Sequence, residues 1–149
     1  MILLIGRYEY TLDPKNRLGI PPKFREALNA EKGNHFYVTS GLEGCLYLFL
    51  PSQWNRLLEN DLQALSLAKT EEERAFKRKF FSEAVEVDLD GVGRILIPQY
   101  LKEHANLNGP VLVQGAGNRA EIWSLLNWKN YNHKKAEPAY RLATKSLKI

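Results

Sequence analysis

Two stretches of this 149-residue chain, DPKNRLGIPPKFRE at 13–26 and DGVGRILIPQYLKE at 90–103, state one pattern twice, 77 residues apart. Laid without a gap, residues 12–28 and 89–105 share Leu12/Leu89, Asp13/Asp90, Arg17/Arg94, Ile20/Ile97, Pro21/Pro98 and Glu26/Glu103. Chance gives ~1 identity in such a window. An internal repeat governs the whole fold, so it precedes any element assignment.

Each copy reads as strand, turn, strand, helix, strand, strand. In the first copy, 7–12 alternates as a half-buried strand. Asp13, Pro14 and Asn16 make a turn, and 17–20 is a short strand. Pro21 and Pro22 open a helix over 22–29, with Gly33 as its stop, and strands follow at 36–39 and 45–49. The second copy repeats the series with strands at 84–89, 94–97, 111–113 and 120–123 and a helix from Pro98. Trp54 and Trp128 occupy matching places after the last strands. Between the copies, Pro51 starts a helix with the stripe Trp54, Leu57, Leu58, Leu62 and Leu65, and Thr70 with Glu73 forms a capping box before 74–81.

The domain reading is a first repeat at 7–54, a helical connector at 55–82, a second repeat at 83–128 and a basic tail at 129–149, polar enough to be partly disordered. One repeat of roughly 45 residues is too small to bury a sufficient core alone. The expected fold is therefore α+β: one compact domain, a pseudo-two-fold, barrel-like mixed β core with added helices between and after its halves.

An Asp-x-x-x-Arg turn followed by Ile-Pro and a short basic helix, stated twice, resembles the MraZ family of bacterial transcriptional regulators, built from two swapped-hairpin (AbrB/SpoVT-like) halves. Residues 90–98 fit that pattern closely, while the first copy has Asn16 where the family has glycine. Asparagine tolerates the left-handed backbone nearly as well. The resemblance implies a sequence-specific DNA-binding regulator, a repressor of the division and cell-wall gene cluster that includes its own gene. It also implies ring-like homo-oligomers on direct DNA repeats; the residues themselves lead to the expectation of a cytoplasmic, nucleoid-associated protein with no cofactor and no enzymatic activity.

Charge separates the copies. Residues 1–28 carry five Lys/Arg against three Asp/Glu, and residues 83–103 carry two against five. The net charge of +4 therefore understates the asymmetry, since 129–149 alone hold six Lys/Arg and one Glu. Phosphates favour the first copy. Lys15, Asn16 and Arg17 form a basic tip able to meet base edges, and Lys23 and Arg25 are placed to hold phosphates, with Arg7 on the same basic half. Asp13 with Arg17, and Asp90 with Arg94, also read as pairs that brace their turns. Lys77, Arg78 and Lys79 read as a solvated surface.

Other chemistries find little support. Gly115, Gly117 and Ala120 match a dinucleotide-binding spacing, but the residues that follow read as a strand where the motif needs a helix. His35, His104 and His133 lack ligand spacing, so no metal is expected. Glu86, Asp88 and Asp90 read as a solvated strand face or a subunit contact, and Cys45 as a small hydrophobe. No apolar run approaches the ~20 residues of a membrane span, and no small-molecule substrate is indicated. An assembly module without DNA is the alternative reading.

Overall fold

The computed structural model describes residues 2–61 and 69–148. The first copy forms β1 (Arg7–Thr11), β2 (Arg17–Gly19), α1 (Pro22–Ala30), β3 (His35–Ser40) and β4 (Leu46–Phe49). The second forms β5 (Val85–Asp88), β6 (Arg94–Leu96), α4 (Gln99–Ala105), β7 (Pro110–Gly115) and β8 (Ala120–Ser124). Between them lie α2 (Pro51–Arg56), a π-turn at Leu57–Asp61 and α3 (Glu71–Ser82).

The copies exchange strands. One six-stranded sheet runs β1-β7-β8-β4-β3-β5, and β2 pairs with β6 in a two-stranded ribbon. The first strand of each copy thus lies against the third strand of the other. Replacing each strand by its counterpart turns the six-strand order into its own reverse, which is a pseudo-two-fold axis. The register agrees: Tyr8 faces Val113, and their counterparts Val85 and Val38 face each other. The axis passes Tyr47 opposite Glu121 and Leu18 opposite Ile95. All these pairings are antiparallel, which sharpens the expected mixed core. The ribbon lies against β1 and β5 and closes the barrel.

The alternation of the strands fills the interior. Leu18, Ile20, Phe36, Val38, Leu48 and their second-copy partners Ile95, Ile97, Val111, Val113 and Ile122 are buried there, with Phe24 of α1 and Leu101 of α4. Prolines open both short helices: amides of Phe24 and Arg25 bond Pro21 O, and those of Leu101 and Lys102 bond Pro98 O. A second, aromatic cluster joins Trp54 and Phe49 to Phe76, Phe80 and Phe81 of α3. Trp54 stacks between Tyr37 and Phe80 at centroid distances of 5.0 and 5.9 Å.

Several local expectations change. The left-handed residue that ends α1 is Lys32 (φ 55°), not Gly33. Gly33 instead sits where the chain packs closely, since a Cβ there would stand 2.7 Å from Leu28 Cδ1 and make it shift. Of the Trp54 stripe, Leu57 packs on the aromatic cluster and Leu58 is exposed, because the π-turn shifts its phase. Leu62 and Leu65 lie outside the described residues. Thr70 Oγ1 accepts from Glu73 N at 3.1 Å, but the Glu73 carboxylate reaches Lys69 N and not Thr70 N. The tail expected to be partly disordered is helical through Ala143: α5 (Leu125–Tyr131), a π-turn at Asn132–Ala136, then α6 (Glu137–Ala143). Ser124 caps α5, Trp128 and Tyr131 pack on Trp123, and Pro138 falls in the first turn of α6, where helices tolerate it.

Candidate nucleic-acid interface

Both Asp-x-x-x-Arg turns share one hydrogen-bond skeleton. Asp13 Oδ1 accepts from the amides of Lys15 (2.9 Å) and Arg17 (2.8 Å), and its Oδ2 accepts from Arg17 Nε at 2.6 Å. Asp90 Oδ1 accepts from Val92 N (3.0 Å) and Arg94 N (2.9 Å), and its Oδ2 from Arg94 Nε at 2.8 Å. The aspartate builds the turn through its own backbone, the reason this residue suits it. The amides that follow each aspartate, foremost that of the arginine four residues on, hold the carboxyls of Asp13 and Asp90 below their usual range. The fourth turn residue is left-handed in both, Asn16 at φ 63° and Gly93 at φ 83°. Only glycine and asparagine enter that region at little cost.

The turns are also tied across the axis. Ile20 N donates to Gly93 O, and Ile97 N to Asn16 O. Arg25 and Lys102, 77 positions apart, each reach the opposite turn. Arg25 lies against Gly93, where an added Cβ would stand 2.8 Å from its Cζ, and its Nε donates to Ile20 O. Lys102 Nζ donates to Asn16 Oδ1 at 3.2 Å, and Asn16 Nδ2 donates to Gln99 Oε1 at 3.2 Å. Arg94 Nη1 also reaches Asp13 Oδ2 of the other turn, at 3.5 Å.

The ribbon presents Arg17 and Arg94 outward, because Leu18 and Ile95 between them point inward and are buried. Lys15 is exposed at the first tip and Val92 at the second. The structure therefore gathers Lys15, Asn16 and Arg17 with Gln99 and Lys102 of the second copy. It does not bring Lys23, Arg25 or Arg7 to that tip. Lys23 is exposed on α1, 3.8 Å from Glu26. Arg25 serves the other turn. Arg7 begins β1, six residues before Asp13 and so roughly 20 Å along the strand, with its guanidinium 5.6 Å from the Trp128 ring centre. Sequence reading missed Gln99 and Lys102. The 77-residue offset that sets Lys102 on Arg25 was the available signal.

The remaining candidates fall into structural places. Gly115 and Gly117 lead into strand β8, not a helix. Glu86 and Asp88 are exposed, with His35 at 3.7 and 4.0 Å. Among the described residues no cluster of His, Cys, Asp and Glu could hold a metal ion, and no helix is long and apolar enough to cross a membrane. Burial pushes the Cys45 thiol far above its usual range, and its Sγ donates to Leu42 O at 3.3 Å.

Two halves that trade their first strands around a paired ribbon define a tandem swapped-hairpin barrel with two arginine-braced turns. Family comparison agrees with that duplication. The model described as "MraZ protein, putative antitoxin-like" matches twice, at residues 3–79 and 80–147, and the chain belongs to the MraZ family. It is 43% identical over 145 residues to "Transcriptional regulator MraZ" of Heliobacterium modesticaldum, covering 97% of this chain and 96% of that protein. Relatives of the same name from Clostridium botulinum and Alkaliphilus oremlandii are 47% and 45% identical over 130 residues, covering 87% of each chain. The family is one of regulators, not of enzymes.

Proposed function

We propose that this protein is a sequence-specific DNA-binding transcription regulator, a cytoplasmic and nucleoid-associated repressor of the division and cell-wall gene cluster that includes its own gene. The observation that carries the reading is the unequal pair of tips. On one skeleton, each tip receives a cation from the opposite half, Lys102 at the first and Arg25 at the second, but the first adds Lys15 where the second has Val92. A two-stranded ribbon fits the major groove, where an arginine reads guanine with its two terminal nitrogens. Arg17 is suited to that: Asp13 takes its Nε and orients the guanidinium, and no bond occupies its Nη groups among the described residues. Lys15 and Lys23 hold phosphates. Arg25 and Arg7 act more remotely, through the opposite turn and the long-range field.

Charge asymmetry supports a head-to-tail homo-oligomer, whose closure gives a ring with tips pointing one way around it and so a reader of direct repeats. Footprinting on the DNA upstream of the protein's own gene, with binding measured across salt, tests the reading. The expected result is protection of direct repeats with affinity falling steeply as salt rises. Arg17→Ala should lose at least tenfold in affinity while Arg94→Ala loses less. Absence of duplex binding even at low salt overturns the proposal and leaves an assembly module.

A further inference from the structure

The outward face of the ribbon holds an apolar residue that packing does not explain. Leu96 is 59% exposed on β6, directly opposite Arg17. Cross-strand partners share a face with Cβ atoms ~5 Å apart. Leu96 therefore shares the outward face of the ribbon with Arg17, the residue whose turn also carries Lys15 and Asn16. The pseudo-symmetric place, opposite Arg94, is Gly19. A Cβ there would stand 2.7 Å from Tyr10 Cε1, so the Tyr10 ring would have to shift to admit a side chain. The exposed isobutyl group is thus confined to the end of the ribbon whose tip carries the additional cation, Lys15.

We propose that Leu96 is a specificity-determining residue that reads the C5-methyl of a thymine in the major groove, one or two base pairs from the pair Arg17 reads. The assignment rests on the DNA-binding reading above. Its chemistry is selective: in the major groove thymine alone offers a methyl group, and an apolar side chain recognises it by excluding water. The flanking cations set the occupant as nucleic acid, since Lys15 and Lys102 would hold the phosphates on either side of such a base. The spacing follows from ~5 Å between cross-strand side chains and a 3.4 Å rise per base pair.

The test uses a duplex selected by the full-length protein from a random pool, resynthesised with each thymine in turn replaced by deoxyuridine, which removes only the methyl. One replacement near the Arg17-read pair should weaken the parent about threefold to fivefold. Leu96→Ala should lose that sensitivity, binding thymine and uracil duplexes equally. Leu126→Ala, which removes a still more exposed leucine on α5, should keep it. Thermal melts confirm that both variants fold. A parent indifferent to every replacement, or a Leu96→Ala variant as sensitive as the parent, overturns this inference while the regulator reading stands. A parent that selects no duplex overturns both.

Discussion

The two turns, Asp13–Arg17 and Asp90–Arg94, differ less inside than outside. Their aspartate-to-amide bonds, arginine braces and left-handed fourth residues coincide to within 0.2 Å in the Asp–Arg contacts, 2.6 against 2.8 Å. What departs is the surface: Lys15 against Val92, and Leu96 against Gly19 at the two ends of the ribbon. The skeleton is what any such turn needs to fold, and the outer side chains are where the two copies part. A motif's most recognisable residues can therefore be its structural ones.

The comparison is broken most forcefully at the axis. Leu18→Ala and Ile95→Ala should each cost about 2–5 kcal/mol, and differ from one another by less than about 1. Urea unfolding measures both, and a large disparity would show that the halves do not share the core equally. Next comes the left-handed position. Gly93→Val should cost about 1–3 kcal/mol, since it strains φ and displaces Arg25. Asn16→Gly relaxes the same torsion but forfeits the bonds to Gln99 and Lys102, so its melting temperature should stay within a few degrees of the parent's.

The smallest effect concerns acid. Asp13 and Asp90 both have folded-state pKa values below the ordinary carboxylate value of about 3.9. Their contribution is complete above that ordinary value and is lost as pH falls through the lowered one, because the unfolded chain binds protons first. Melts between pH 5 and pH 2 should show stability falling with acid. Asp13→Asn and Asp90→Asn should each flatten that fall to a similar degree. A variant that leaves the slope unchanged would remove its turn from the account.

Much of this was legible because it is local. The Asp-x-x-x-Arg turn is built from a side chain and its own next four residues, so 13–17 and 90–94 could be read directly. The Ile-Pro boundary placed α1 and α4 for the same reason. The strand exchange was not readable from spacing alone, since Tyr8 opposite Val113 depends on which of two similar third strands is nearer in space. The engagement of Asn16 by Gln99 and Lys102 was hidden for the same reason. The tail misled through composition: its charges are compatible with helix once Trp128 and Tyr131 anchor one end and Glu137 pairs with Arg141 at 3.1 Å.

The exchanged strands also bear on how the chain is made. β1 leaves the ribosome early, yet its partner β7 is synthesised about a hundred residues later, roughly 5–20 s at ordinary elongation rates. By contrast β5 emerges to find β3 already waiting. During that interval β1 is an unpaired strand, the kind of segment that recruits neighbouring chains. Arg7 and Glu9, exposed on alternate positions of β1, put charge on one face of it throughout the wait.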